Sequence, residues 1–504
     1  MSLEAMVGRQ LVIGLPGPDA TDDDIRLLRE IHAGGLMLYR RNFETPERFV
    51  RFIRRLEEGA GRRLLITTDH EGGRIIMLHG GVTIFPDNLT AGTAGDEAMV
   101  ARQGQIEGRE LRRLGVDVSF GPCLDVLTER YSPNIGIRSY GKDPKIVARY
   151  GVARIRGMAK GGLSACAKHF PGKGHSPLDA HLRLPTIDST PEEMRSTHLP
   201  PFVEAIAAGI ESLMTSHPVY PRLDPSGVPA TFSRRIVGDW LRGELRFGGV
   251  IVSDDLEMGA VSETCPIGEA TVRAAAAGHD LLLVCHTAPA QRAAAAALVD
   301  AYREGRLPLA ECEAAVERVR RLRLARTARR EGGEPGPEPD GRPLAQAIAT
   351  RAVTEVGRGA PDLSRALNGQ VHVVFPRFSD LAPRITIEPE IADERGWVRG
   401  AFGAAGVSPD VSVVGIEPTP EEIAGAADRA AGADATVLFL FDAHLYASNR
   451  ALLDALQTRA RRLAVVLLRD PYDAALLAPG VRGLTAYGFR KCQLDAVVAR
   501  LTHA

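Results

Sequence analysis

Eight short apolar runs, rich in Val, Ile and Leu, alternate with segments of helical periodicity between residues 11 and 285 of the 504-residue chain. Continuous apolar runs of this length are typical of parallel strands that are covered on both faces. The runs are Leu11–Leu15, Gly35–Tyr39, Leu64–Thr68, Val116–Phe120, Leu163–Lys168, Ser212–Ser216, Gly249–Ser253 and Asp280–Cys285. Eight strands that alternate with helices fit either a (β/α)8 TIM-type barrel or a long doubly wound sheet.

Polar residues follow most of these runs, and their distribution favours the barrel. They are Asp69, Glu71, Arg74, Asp125, Lys168, His169, His217, Asp254, Asp255 and His286. In a barrel the carboxyl ends of all strands meet at one rim, so many strands donate polar side chains to one site. A doubly wound sheet concentrates such residues at a single switch point. The sequence therefore predicts an α/β protein with a TIM-type barrel.

A change of composition predicts a second domain. Residues 330–342 are charged and rich in Pro and Gly, as expected of a linker. Shorter strand-like runs then return at Val371–Phe375, Val411–Ile416, Thr436–Phe441, Leu463–Leu468 and Gly483–Ala486. We predict a barrel domain at 1–329, a linker at 330–342 and a smaller α/β sandwich at 343–504.

The loop that follows the fifth run carries an unusual set of polar residues. It contains Lys168, His169, Lys173, His175, Asp179 and His181, and two of the six lysines of the chain. In an extended loop the Asp179–Ala180–His181 spacing places a carboxylate and an imidazole on one side, where the carboxylate orients the ring for proton transfer. A surface His beside a capping Asp is the alternative that spacing alone leaves open.

Two other kinds of site have little support in this loop. A phosphate-binding loop requires Ser or Thr directly after its Lys, but Gly174 follows Lys173. The metal-binding spacings H-x-x-x-H and H-E-x-x-H do not occur among His169, His175 and His181. We therefore predict no metal and no cofactor.

Asp254 and Asp255 leave the seventh apolar run together. Successive side chains of a strand point to opposite faces, so one carboxylate is expected at the barrel mouth and the other in packing or capping. A carboxylate at the mouth can act as a nucleophile or as a general base. The alternative is that both aspartates are N-caps of the following helix, and spacing alone does not decide between the two.

Composition excludes several classes of partner. The formal net charge is -1 and aromatic residues make up 5% of the chain, which disfavours nucleic acid and anionic membranes as partners. The six cysteines are scattered without a CxxC pair, and neither a secretory signal nor an apolar stretch of membrane-spanning length is visible. These features predict a cytoplasmic protein with reduced thiols; they leave the oligomeric state open.

Six separated stretches resemble glycoside hydrolase family 3, in its β-N-acetylglucosaminidase branch of two-domain type. They resemble the family patterns D-x-E-G-G-R, (A/G)-P-x-x-D-V, x-R-S-(F/Y)-G, K-H-F-P-G, D-S-H (with Ala180 in place of Ser) and S-D-D-L-x-M. The matching segments are Asp69–Arg74, Gly121–Val126, Ile137–Gly141, Lys168–Gly172, Asp179–His181 and Ser253–Met258. The resemblance covers nearly the whole chain and is weaker towards its C-terminus.

The resemblance implies a retaining β-N-acetylhexosaminidase that releases terminal, non-reducing N-acetylglucosamine, with cell-wall fragments as a possible source. It implies that Asp254 forms a covalent glycosyl-enzyme and that His181, paired with Asp179, is the acid and base. Most glycosidases use two carboxylates instead. It further implies that the sugar hydroxyls are held by Asp69, Arg138, Lys168 and His169.

Two departures from the family pattern bear on the substrate. Lys173 replaces the His of F-P-G-H-G, and Met77 stands where the branch commonly has Arg. The alternatives are phosphorolysis, β-glucosidase activity and, in another class, a non-catalytic sugar-binding protein. The presence of Asp254, Asp179 and His181 together argues against the last.

Overall fold

The structure is a computed structural model that describes residues 1–129, 132, 134–176, 184–331, 340–357, 367 and 369–502, with the backbone alone for 325–331. The chain divides into two compact units. The first comprises Met1–Glu71, Gly80–Thr83 and Glu97–Asp340, and the second comprises Gly72–His79, Ile84–Asp96 and Gly341–Ala504. The domain limits and linker given above stay a prediction.

The first unit is an eight-stranded barrel in which every strand pair is parallel. Its strands are β1 (Leu11–Ile13), β2 (Gly35–Leu38), β3 (Leu65–Thr68), β4 (Val118–Ser119), β5 (Ser164–Phe170), β6 (Ser212–Thr215), β7 (Val250–Val252) and β8 (Leu282–Val284). Their order is β7-β6-β5-β4-β3-β2-β1-β8, and a bridge between Val252 and Leu281 joins the two ends. The predicted barrel is confirmed, because strands that pair in sequence order exclude the doubly wound alternative.

Apolar side chains from successive strands fill the barrel interior. Val12, Met37, Leu65, Cys166 and Met214 belong to one buried cluster, to which the remaining strands also contribute. Side chains alternate between the two faces of a strand, so half of each apolar run points inward and the other half packs under the helices. These apolar side chains give the barrel a packed core.

Helices connect the strands of the barrel. Their bounds are Leu3–Arg9, Asp22–Glu30, Pro46–Ala60, Glu97–Arg113, Pro144–Lys160, Pro191–Glu193, Pro200–Ala207, Gly259–Ser262, Ile267–Ala277, Ala288–Arg303 and Leu309–Glu331. Short 3-10 turns lie at Arg40–Asn42, Gly136–Arg138 and Ala230–Phe232. Thr21 begins the helix at Asp22 with a capping box that involves Asp24.

The helical periodicity of residues 191–208 predicts one helix, but this segment is divided in the structure. A π-helical stretch, Met194–His198, separates the helices Pro191–Glu193 and Pro200–Ala207. Pro200 and Pro201 have no amide proton to donate to a preceding carbonyl, so the regular ladder is interrupted there. A second π-helical stretch, Arg235–Glu244, precedes β7.

The second unit is a six-stranded sheet with helices on both faces. Its strands are β9 (Thr354–Val356), β10 (Val371–Pro376), β11 (Asp410–Val414), β12 (Ala435–Leu440), β13 (Leu463–Leu467) and β14 (Arg482–Thr485), in the order β11-β10-β12-β13-β14-β9. Among these strands only β9 is antiparallel to its neighbour. The helices are Asn88–Ala94, Arg342–Ala352, Pro389–Ala392, Glu394–Gly403, Pro420–Gly432, Ala447–Arg459 and Lys491–Thr502, and 3-10 turns lie at Phe378–Leu381 and Pro471–Leu476.

Two separate apolar clusters flank this sheet. Val373 and Phe375 of β10 face one cluster, whereas Val374, between them, belongs to the other. This alternation matches a sheet that is buried on both sides, and it confirms the predicted α/β sandwich. Among the described residues of both units, no helix combines the length and the apolar character needed to cross a bilayer.

Candidate active site

The site residues described by the structure lie at the carboxyl ends of the barrel strands. Asp69 follows β3, Lys168 and His169 lie in the last part of β5, and Asp254 follows β7. Arg138 ends the 3-10 turn Gly136–Arg138. Since parallel strands of a barrel end at one rim, the fold brings residues distant in sequence to one place. We call Asp69, Glu71, Asp125, Arg138, Lys168, His169, Lys173 and Asp254 the rim cluster.

Glu71 is the centre of a buried ion-pair network. Its carboxylate accepts hydrogen bonds from Arg138 Nε at 2.9 Å and Arg138 Nη2 at 2.7 Å, and Lys168 Nζ lies 2.7 Å from Glu71 Oε1. The Glu71 side chain is 1% exposed. Burial alone raises the pKa of Glu71, but Arg138 and Lys168 outweigh this effect and lower it to about 2. Glu71 therefore stays ionised and holds both cations in place.

The backbone of Glu71 is fixed from the outside of the barrel. Arg154 Nη2 donates to the Glu71 carbonyl oxygen at 2.9 Å, and Arg154 is itself paired with Glu107 through Nε at 2.5 Å. Both side chains of this pair are at most 2% exposed. A buried guanidinium with a buried partner keeps its orientation, so the helices Pro144–Lys160 and Glu97–Arg113 set the position of Glu71.

Asp69 is the more exposed carboxylate of this network. Lys168 Nζ donates a short hydrogen bond to Asp69 Oδ1, and the Asp69 side chain is 24% exposed, whereas Lys168 is 4% exposed. Burial raises the pKa of Asp69 and the negative charge of Glu71 adds to this effect, while Lys168 lowers it. The arrangement offers an oxygen acceptor beside an ammonium donor, which suits a hydroxyl-bearing ligand.

His169 is oriented by a second buried carboxylate. Asp125 Oδ2 lies 2.7 Å from His169 Nδ1, and Asp125 also accepts hydrogen bonds from Cys123 Sγ at 3.1 Å and from the Lys173 amide at 2.6 Å. A carboxylate can only accept, so Nδ1 carries the proton and Nε2 points towards Arg138 Nη2, 3.5 Å away. The ligand atoms of Cys123, Asp125 and His169 lie within 4.8 Å of one another, a spacing that hydrogen bonding explains without a metal.

Asp254 presents one free oxygen towards this charged rim. Its Oδ1 accepts the Asp255 amide at 3.0 Å, and its Oδ2 lies 4.0 Å from Lys173 Nζ. Burial alone raises the pKa of Asp254, but the charges of Lys173, His217 and Lys168 outweigh it and lower the pKa below its usual value. The geometry thus supplies an ionised carboxylate with one oxygen free of close partners among the described residues.

Asp255 is used differently from its neighbour. Its Oδ1 accepts the Glu257 amide at 3.1 Å, and His286 Nε2 lies 2.9 Å from its Oδ2. The Asp255 carbonyl oxygen lies 3.0 Å from His217 Nε2. Asp255 thus caps the turn after β7 and anchors two histidines, while Asp254 is left for chemistry.

Asp179 and His181, predicted as the acid/base pair, lie outside the described residues. The other predicted residues, Asp69, Arg138, Lys168, His169 and Asp254, belong to the rim cluster. The sequence hypothesis omitted the supporting roles of Glu71, Asp125 and Lys173. Glu71 and Asp125 follow strand-like runs, a signal that marks the rim and does not reveal their partners.

Comparison with known proteins assigns the family. The model of the glycosyl hydrolase family 3 N-terminal domain matches residues 6–322. The chain belongs to glycosyl hydrolase family 3. This confirms the resemblance described above.

Relatives match either part or all of the chain. A β-hexosaminidase of Idiomarina loihiensis is 35% identical over 323 residues, which are 63% of this chain and 94% of that protein. A β-hexosaminidase of Pseudomonas aeruginosa is 37% identical over 292 residues, 57% of this chain and 86% of that protein. The structure of a family 3 β-N-acetylglucosaminidase from Paenibacillus sp. superimposes with a TM-score of 0.93 and covers 100% of this chain and 97% of that chain. The two sequences are 32% identical.

Proposed function

We propose that this family 3 glycoside hydrolase is a retaining β-N-acetylhexosaminidase that releases terminal, non-reducing N-acetylglucosamine. The observation that carries the proposal is the ionised Asp254, with Oδ2 free, at a barrel rim whose other groups are arranged to bind hydroxyls. The substrate class is supported by the relatives, which are named for hexosaminidase and N-acetylglucosaminidase activity.

In the first step Asp254 Oδ2 attacks the anomeric carbon of the sugar. The bond from that carbon to the leaving oxygen breaks, and His181 gives this oxygen its proton. Asp179 orients the imidazole and stabilises its charged form. The product is a covalent glycosyl ester of Asp254, with the aglycone released as its alcohol.

In the second step water attacks the same anomeric carbon. His181 now takes the water proton, the ester bond breaks, and Asp254 leaves as a carboxylate. Two displacements at one carbon retain the anomeric configuration. The imidazole returns to its initial protonation state, so no external acid or base is consumed.

The remaining rim residues hold the sugar. Asp69 accepts hydrogen bonds from hydroxyls, and Lys168 and Arg138 donate to them, while Glu71 fixes both cations. His169, held by Asp125, offers Nε2 on the same side as Arg138. Contacts that strengthen as the sugar ring flattens towards an oxocarbenium ion accelerate the reaction rather than only tightening binding.

The alternatives have less support. Phosphorolysis and β-glucosidase activity do not correspond to the names of the relatives that are more than 30% identical. We further propose that the enzyme acts in the cytoplasm on cell-wall fragments. All six cysteines are free and four of them are buried, as is usual in a reducing compartment.

A panel of aryl glycosides tests the proposal. We expect the enzyme to cleave the aryl β-N-acetylglucosaminide much faster than the β-glucoside, with no stimulation by phosphate. Asp254→Ala is expected to abolish turnover, whereas Asp239→Ala, an exposed aspartate of the same unit, is expected to leave it unchanged. A sugar 1-phosphate product, preferential cleavage of the glucoside, or full activity of Asp254→Ala would contradict it.

A further inference from the structure

Lys173 is a buried cation whose presence neither the fold nor the sugar-binding residues explain. Its side chain is 4% exposed, and its Nζ lies 4.0 Å from Asp254 Oδ2. This distance is too long for a hydrogen bond but short enough for a strong charge interaction in a buried site. The Lys173 ammonium therefore acts on Asp254 without occupying the oxygen that attacks.

Both backbone polar groups of Lys173 make hydrogen bonds. The Lys173 amide donates to Asp125 Oδ1 at 2.6 Å, and the Lys173 carbonyl accepts the Ser176 amide at 3.1 Å. The neighbouring glycines permit close approach: a Cβ on Gly172 would lie 2.8 Å from His198 Cβ, and one on Gly174 would lie 1.8 Å from the Val126 carbonyl oxygen. The chain thus presents Lys173 at a defined position.

The charges that act on Asp254 come from several elements. Lys173 belongs to the loop after β5, Lys168 to β5 itself, and His217 to the segment after β6. Asp69 contributes an opposing negative charge from the end of β3, and Arg138 and Asp125 act on Lys173. Glu71 neutralises part of the charge of Arg138 and Lys168. Within the described part of the chain, Lys173 is therefore the cation nearest to Asp254 that is not shared with Glu71.

We propose that Lys173 is an electrostatic positioning residue for Asp254, which keeps the nucleophile ionised before attack and favours its departure as a carboxylate in the second step. This inference rests on the proposed function. In the glycosyl ester Asp254 has no charge, so Lys173 loses its nearest counter-ion. Cleavage of the ester by water restores the carboxylate and with it the ion pair, so the ammonium favours completion of the cycle.

The identity of the residue supports this role. The family pattern to which the loop is similar has His at this place. An imidazole loses its charge near neutral pH, since its ordinary pKa is about 6.5, whereas that of an ammonium is about 10.4. Burial lowers the pKa of Lys173 below its ordinary value, and the negative charge of Asp254 offsets only part of this lowering. A lysine thus maintains a positive charge beside Asp254 over a wider pH range than a histidine.

The test compares the pH dependence of kcat/KM for wild type and variants on an aryl β-N-acetylglucosaminide. Removing the cation in Lys173→Met raises the pKa of Asp254, so the acid limb is expected to move to higher pH by about 1 unit or more. Lys173→Arg and Lys173→His keep a cation at acid pH. The acid limb of kcat/KM is therefore expected to lie at the same pH in these variants as in wild type. Lys160→Met, at an exposed helix end, is the matched control and is expected to change nothing.

The outcomes separate this inference from the proposed function. An equal loss of kcat/KM at every pH in Lys173→Met, or a rise in KM alone, would overturn the inference, because a structural or substrate-binding role gives those results. Lys173→Gln replaces Lys173→Met if the latter does not fold. Failure of the wild-type enzyme to cleave the substrate would instead overturn the proposed function.

Discussion

Arg138 and Glu71 form a bidentate pair inside the barrel rim, with Nε to Oε2 at 2.9 Å and Nη2 to Oε1 at 2.7 Å. Two parallel hydrogen bonds fix the guanidinium plane, which a single contact does not. The same carboxylate also holds Lys168. One buried anion therefore orients two of the cations that are proposed to bind the sugar.

Replacing Glu71 by Gln is expected to damage both stability and activity. Two buried cations lose their common counter-ion, and breaking a buried pair typically costs about 3–5 kcal/mol. We expect a large fall in both the free energy of unfolding and kcat/KM. Glu97→Gln is the control, because the Glu97–Arg149 pair has half-exposed side chains and such pairs contribute about 1 kcal/mol or less. Equal effects of the two substitutions would contradict the central role of Glu71.

The Glu71 network also predicts how stability depends on pH. The pKa of Glu71 falls from its ordinary value of 4.5 to about 2 in the folded protein. A lowered pKa gives stability that is present above the unfolded value and is lost as the pH falls through the folded value. The difference corresponds to about 3 kcal/mol. We expect the free-energy advantage of wild type over Glu71→Gln to shrink below about pH 4.5; a constant advantage in acid would be inconsistent with an ionised Glu71.

Asp69→Asn should separate binding from folding. The Asp69 side chain is 24% exposed and is the accessible member of the network, so its replacement leaves the buried Glu71 pairs in place. We expect kcat/KM to fall by about 10²-fold or more, since an acceptor of the sugar hydroxyls is lost, and Tm to change little. A large drop in Tm with the kinetic constants of the remaining folded protein unchanged would show that Asp69 serves structure alone.

The role of His181 is tested by the leaving group of the substrate. A general acid contributes about 10²–10⁴-fold when the leaving oxygen needs a proton. His181→Ala is expected to lose activity of this order on an aryl glycoside with a basic leaving group and far less on a dinitrophenyl glycoside. Equal losses on both substrates would argue against proton donation by His181.

The positions of the site residues at the ends of predicted strands were sufficient to predict where the site lies. Asp69, Lys168, His169 and Asp254 lie at one rim because parallel strands of a barrel end together. The partners of these residues did not follow from the sequence. Glu71 pairs with Arg138, 67 positions away, and that pairing depends on how β3 and the Gly136–Arg138 turn pack in the barrel.

The hydrophobic pattern of the sequence also did not predict several local irregularities of the structure. The three residues of β9 are too few to show alternation, so this antiparallel edge strand was missed. The helical periodicity of the Pro191–Ala208 segment did not reveal its division by Met194–His198. Lys173 was recognised as a departure from the family pattern, but its proximity to Asp254 depends on the course of the loop after β5.

Covalent trapping of the enzyme tests the central claim most directly. A 5-fluoro N-acetylglucosaminyl fluoride reacts with a retaining enzyme to form the covalent glycosyl-enzyme. The fluorine at C5 then slows hydrolysis of this intermediate, so that it accumulates. Mass spectrometry of the labelled protein, followed by peptide mapping, is expected to find one sugar attached to Asp254. Attachment to another residue, or no adduct in an enzyme that cleaves its substrate with inversion of configuration, would contradict the mechanism.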